Sequence, residues 1–124
     1  MALPLVFGET VRVLFVDDSP MARATAAKLM SERGMKVTLA SSVTEAVSVD
    51  AGSLRAALLD LEVGEELGTD LATSLRSRAP ALPIAFLTAA MNRDLLTEAR
   101  RFGPVFDKTL GLEQALAWLA AFCR

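Results

Sequence analysis

The sequence contains no histidine. That absence removes imidazole acid–base catalysis, most zinc sites and any role as a phosphohistidine carrier. Cys123 is the lone cysteine, so there is no intramolecular disulfide and no CxxC metal or redox pair, as expected in a reducing cytoplasm. Chemistry here must run on carboxylates, hydroxyls and lysine. Dense basic runs are missing too, and 13 Lys+Arg against 15 Asp+Glu leave a net charge of −2. Neither nucleic acid nor an anionic membrane finds the basic footprint it needs. No apolar stretch approaches the ~20 residues that span a bilayer. The opening Met1–Thr10 lacks a basic start and is broken by Pro4 and Gly8, unlike a secretory signal, and reads as a loosely held leader. Residues 11–124 are expected to form one soluble, cytoplasmic domain that buries about two-thirds of its unfolded surface.

What is present begins with Val13-Leu14-Phe15-Val16, an apolar, partly β-branched run that ends in Asp17-Asp18-Ser19-Pro20. Such a run reads as a strand buried on both faces, as in a parallel sheet covered by helices. Ser19 then caps a helix with Pro20 at its first position. The two acids stand at the strand's carboxyl end, where open α/β sheets bind ligands. On these residues alone, a cation site and a plain acidic turn are equal readings.

The pattern repeats along the chain. Ala22, Ala26, Leu29 and Met30 mark a helix stopped by Gly34, Val37–Ala40 a second strand, and Ser42-Val43-Thr44-Glu45 a capping box opening a short helix that ends near Asp50 to Gly52. Ala56–Leu59 is a third buried strand ending in Asp60. A polar loop, Glu62 to Glu66, is closed by Gly68 before a helix carrying Leu71, Ala72 and Leu75. Ile84–Leu87 is a fourth strand ending at Thr88. Asn92 caps a helix with Leu95, Leu96, Ala99 and Phe102, which Gly103-Pro104 stops. Val105-Phe106-Asp107 is a brief fifth strand ending at Lys108, and Leu112, Ala115, Leu116 and Leu119 line a last helix. Five strands alternating with five helices predict a doubly wound α/β fold with a parallel sheet.

Such a sheet gathers Asp17, Asp18, Asp60, Thr88 and Lys108 at one edge. Three carboxylates and one ammonium sum to −2, and each like-charge pair ~5 Å apart costs about 3 kcal/mol at an effective dielectric near 20. A divalent ion balances that charge, and all-oxygen ligation selects Mg²⁺ or Mn²⁺. The site is built to receive a phosphoryl group.

From Val11 to Phe122 these residues resemble the receiver domain of two-component response regulators, of the chemotaxis-regulator kind. The match lies in Asp17-Asp18, in Asp60 with Gly68 eight residues later, in Thr88 followed by Ala89, and in Lys108. The resemblance implies a flavodoxin-like (βα)5 fold of strand order 2-1-3-4-5. It makes Asp60 the phosphoacceptor, Asp18 a direct Mg²⁺ ligand, Asp17 a ligand through water, and Glu62 the donor of a backbone carbonyl. Thr88 would bond the phosphoryl group and Lys108 would pair with Asp60 and the phosphate. The phosphodonor would be a histidine kinase or histidine phosphotransfer protein, the signal would pass to a downstream protein, and the domain would be no enzyme beyond assisting its own phosphorylation and dephosphorylation. Three positions depart from the family pattern: Gly64 replaces a proline, which predicts a looser loop; Thr109 follows Lys108 in place of proline; and Val105 replaces the switch aromatic.

A degenerate receiver that docks partners without phosphate is the alternative, favoured by Val105 and Thr109 and opposed by the five site residues. A haloacid-dehalogenase-like phosphatase would need an Asp-x-Asp nucleophile strand, whereas this chain has Asp17-Asp18-Ser19. A flavin or nucleotide binder would need a glycine-rich first turn, where paired acids repel phosphate. Trp118 and Phe122, four apart on the last helix, are either rim residues of the core or an apolar patch for a partner or a homodimer.

Overall fold

The computed structural model describes residues 11–123; the expected leader, Met1–Thr10, lies outside them. Five strands, β1 (Val11–Val16), β2 (Met35–Ala40), β3 (Ala56–Leu59), β6 (Ile84–Thr88) and β7 (Val105–Asp107), form one parallel sheet of order β2-β1-β3-β6-β7. Counted among themselves, these strands run 2-1-3-4-5, as the family resemblance implied. The helices are α1 (Pro20–Glu32), α2 (Val43–Val47), α3 (Gly68–Arg78), α4 (Arg93–Arg100) and α5 (Leu112–Ala121). Among the described residues, none is long and apolar enough to cross a membrane.

Both faces of the three central strands are buried, which explains their unbroken apolar runs. Leu14, Val16, Ala57, Leu59, Ile84 and Phe86 share one core with Ala46 of α2, Leu71 and Leu75 of α3 and Ala99 of α4. Val13, Phe15, Ala56, Leu58, Ala85 and Leu87 face the other way, onto Ala26 and Met30 of α1 and Ala115, Leu116 and Leu119 of α5. The strand period of two thus sorts adjacent residues into two cores. Trp118 and Phe122 are half-buried against the second core and pack edge-to-face with centroids 4.9 Å apart, which makes them rim residues of it.

Local signals set the helix starts. Ser19 Oγ accepts from the Ala22 amide (3.2 Å), Ser42 Oγ from Glu45 (3.0 Å) and Asn92 Oδ1 from Leu95 (3.1 Å). The capping box closes one residue early, since Glu45 Oε1 accepts from Ser41 N rather than Ser42 N.

The segment after Asp60 differs from expectation. It is an antiparallel hairpin of β4 (Glu62–Val63) and β5 (Glu66–Leu67), turning at Gly64 with φ +64°, and Gly68 begins α3 instead of ending a loop. Rather than loose, it is bonded at its turn, Gly64 N to Asp18 Oδ2 (3.2 Å), and at its return strand, Glu66 Oε1 from Val43 N (3.1 Å). Gly68 has no room for a side chain, because a Cβ there would run into the Asp60 carbonyl. Another difference is that the second helix stops at Val47, with a separate 3₁₀ turn at Ala51–Ser53.

Gly103 is equally confined, its missing Cβ lying against the Ile84 carbonyl at the start of β6. Gly103→Ala is therefore expected to cost about 1–3 kcal/mol by overpacking, read as a lower urea midpoint at unchanged m-value.

Candidate functional site

Strand register assembles the site. Val16 pairs with both Ala40 and Leu59, and Thr88 pairs with Asp107, so the next residues along emerge on one edge. Three further ladder bonds fix their backbones: Asp17 N to Ala40 O (3.1 Å), Asp60 N to Val16 O (2.9 Å) and Lys108 N to Thr88 O (2.9 Å). The functional side chains therefore begin from sheet geometry and not from free loops.

Asp17, Asp18 and Asp60 each offer a carboxylate oxygen, all within 4.8 Å of one another. Asp17 and Asp60 are buried, while Asp18 is exposed. Lys108 Nζ lies 2.6 Å from Asp17 Oδ2 and 3.0 Å from Asp60 Oδ2. At an effective dielectric near 20, two carboxylates at this spacing repel by about 3 kcal/mol. One ammonium bridging both removes most of that repulsion.

The environment of Asp17 shows that the lysine does not complete the site. Its Oδ1 accepts from Ser19 N (2.9 Å), but the fully buried Oδ2 accepts no hydrogen bond, and its contact with Lys108 is a charge contact without hydrogen-bond alignment. A buried carboxylate oxygen left so is unusual. With three carboxylates, no nitrogen or sulfur ligand and a buried oxygen met only by the Lys108 charge, the residues present fit a hard divalent cation such as Mg²⁺.

Thr88 is buried at the end of β6, where its Oγ1 accepts from the Ala90 amide (3.0 Å) and makes no bond to Asp60 or Lys108. Glu62 points its side chain to solvent, while its amide lies 3.4 Å from Asp60 Oδ1. Between Thr88 and Val105 lies a cavity of about 190 Å³, bordered also by Leu96, Arg100 and Met91. No described peptide bond is cis. The turn after Lys108 is instead organised by Asp107, whose Oδ1 accepts from Thr109 N (2.6 Å) and Leu110 N (3.2 Å). Proline at 109 would have no N–H to donate to Asp107.

Two contributors were not foreseen. Arg23 Nη1 donates to the Asp17 carbonyl at 2.8 Å, and Gly64 donates to Asp18. Arg23 had a faint signal, being a base close to a helix start, where acids are the favoured charge. Gly64 had none, since its partner is remote in sequence.

Burial works against the Lys108 charge, but close contact with the Asp17 carboxylate, the hydrogen bond that Lys108 donates to Asp60 and the attraction of both charges outweigh it and hold its pKa above the ordinary lysine value. A raised folded-state pKa means that this contribution to stability is fully present below the unfolded value of about 10.4 and disappears as pH rises through the folded one. In metal-free protein, NMR of the Lys108 ammonium should show titration above the ordinary lysine range, falling back in Asp60→Asn.

Residues 13–107 match the family described as Response regulator receiver domain. The alginate biosynthesis transcriptional regulatory protein AlgB of Pseudomonas aeruginosa is 30% identical over 95 residues, which are 76% of this chain and 21% of that protein, so the chain spans about a fifth of this curated relative. A Burkholderia pseudomallei response regulator, solved with a phosphorylated aspartic acid, a calcium ion and citrate, superposes with a TM-score of 0.77 at 26% identity, covering 88% of this chain and 66% of that one. The non-phosphorylated HemR receiver domain of Leptospira biflexa gives 0.81 at 23% identity, covering 91% and 94%, a likeness of fold. With its parallel sheet and the acids and lysine at one edge, the chain belongs to the response regulator receiver domains, the phosphoacceptor domains of two-component systems.

Proposed function

We propose that this domain accepts a phosphoryl group on Asp60 from a phosphohistidine of a histidine kinase or phosphotransfer protein, in a reaction that requires Mg²⁺. The observation that carries the proposal is the Lys108 ammonium seated between Asp60 and Asp17. It holds Asp60 beside the other acids at the carboxyl edge of the sheet.

An oxygen of the Asp60 carboxylate attacks phosphorus; the Asp60 O–P bond forms and the donor's N–P bond breaks. Imidazole leaves with the electron pair and takes a proton from solvent. The acyl phosphate carries roughly two negative charges into a group of acids. Bound Mg²⁺ would supply the neutralising charge and Lewis acidity, held by Asp18 and Asp60, by Asp17 through water and by the Glu62 carbonyl. Lys108 would follow the phosphoryl oxygens, and Thr88 would give up its bond to Ala90 to donate its O–H to them.

A protein donor is supported by the rim. Met21 in the first turn of α1, Met91 in the loop after β6 and Leu110 in the turn after β7 are 78%, 88% and 84% exposed. These are apolar side chains that a docking surface would cover. The second reading, a docking module that works without phosphate, draws on Val105, which is stiff at χ1 and lacks an aromatic ring to swing toward Thr88.

Intact mass after incubation with acetyl phosphate separates the two. The wild type should gain one phosphoryl group only with Mg²⁺, and Asp60→Asn should gain none; an unlabelled wild type leaves the docking module. Lys108→Ala should bind Mg²⁺ at least as tightly as the wild type in calorimetry, because a competing charge has gone, while labelling more slowly. A large loss of Mg²⁺ affinity in that variant would mean that the lysine role is misassigned.

A further inference from the structure

Each of the three acids accepts one hydrogen bond from a backbone amide, but the amides differ in origin. Asp17 takes Ser19 N and Asp60 takes Glu62 N, both two residues downstream and therefore supplied by the acid's own turn. Asp18 takes Gly64 N, from the far side of the sheet edge. The exposed acid is thus oriented by a hairpin that belongs to another strand connection.

We propose that Gly64 is a positioning residue for the cation site, and that the β4–β5 hairpin carries its influence to the start of α2. The hairpin is fixed at one end, where Gly68 N donates to Leu61 O (2.8 Å) and a Cβ would strike the Asp60 carbonyl. Its turn is open, with nothing within 4 Å of a Cβ built on Gly64. The return strand is tied separately, where Glu66 Oε1 accepts from Val43 N at 3.1 Å. Asp18, Gly64, Glu66 and Val43 then form one chain of contacts from the acids to the first residue of α2. Outer hydrogen bonds to a ligating carboxylate orient it, and their loss commonly weakens metal binding by about 10–100-fold. Coupling of this kind is reciprocal: whatever the hairpin does for the cation, the cation does for the hairpin.

The inference rests on the proposed role of Asp18 as a cation ligand, and Mg²⁺ alone is the probe. Calorimetry should show Gly64→Pro, which has no N–H to give and cannot adopt the φ of +64°, binding Mg²⁺ about tenfold more weakly, with Gly64→Asn, which keeps the amide and tolerates that φ, restoring affinity. Glu66→Ala, an exposed change remote from the acids, should weaken binding in the same direction. In the wild type, Mg²⁺ should slow hydrogen exchange at the Gly64 and Val43 amides by about fivefold, the effect of firming one ordinary hydrogen bond, and Glu66→Ala should abolish the response at Val43. Unchanged Mg²⁺ affinity in Gly64→Pro and Glu66→Ala, or Mg²⁺-indifferent exchange at both amides, overturns the inference even if Asp60 is labelled by acetyl phosphate. The expected Mg²⁺ effects in a protein that acetyl phosphate does not label would sustain it while removing the phosphoacceptor reading. A wild type that binds no Mg²⁺ overturns both.

Discussion

The structure turns on one ammonium ion between two buried carboxylates. Lys108 makes it possible for Asp17 and Asp60 to sit at adjacent strand ends out of water. Without it, each would be a buried charge beside a like charge, and breaking such a pair by removing one partner costs about 3–5 kcal/mol. The sheet answers this need with backbone geometry. Ladder bonds that run one residue beyond β1, β3 and β7 place the acids and the lysine before any side chain chooses a rotamer. The same edge leaves one Asp17 oxygen without a hydrogen bond, so the resting arrangement is balanced but incomplete.

Two sets of glycine contacts bring the layers close enough for this. Gly68 lets α3 start directly against the Asp60 carbonyl, and Gly103 lets the turn after α4 lie on the start of β6. Arg76 ties the same layer together, donating to the Leu82 carbonyl (2.8 Å) and the Phe102 carbonyl (2.7 Å) with its guanidinium near the Phe102 ring. These contacts hold the connections around the sheet, while the site itself hangs from the strands.

Much of this was legible in the sequence because the informative residues act locally or through strand period. Val13–Val16, Ala56–Leu59 and Ile84–Leu87 are apolar without alternation, as strands covered on both faces must be, and the polar residue after each run marks the same edge. Ser19-Pro20 and Asn92 announce helix starts by chemistry confined to a few residues. The hairpin was not legible. Its strands are two residues each, too short to show a period, and its charged, mostly exposed side chains read as a loop. The bonds that make it ordered, Gly64 to Asp18 and Glu66 to Val43, join residues far apart in the chain, where no spacing rule reaches. The turn after Lys108 was missed for a related reason, since Asp107 read as the last residue of a strand and not as a cap for the Thr109 and Leu110 amides.

The position of β7 at the sheet's edge bears on how the molecule comes together. It is the last strand to be synthesised, three residues long, with Val105 and Phe106 only half-buried. Strands that precede it can pair as β2-β1-β3-β6, but that partial sheet already carries Asp17, Asp18 and Asp60 at its edge with no lysine among them. Docking β7 delivers the counter-charge along with the ladder bonds. A short edge strand with half-buried apolar residues thus also carries the counter-charge of the strands it joins, so that losing its pairing would leave the acids without their ammonium.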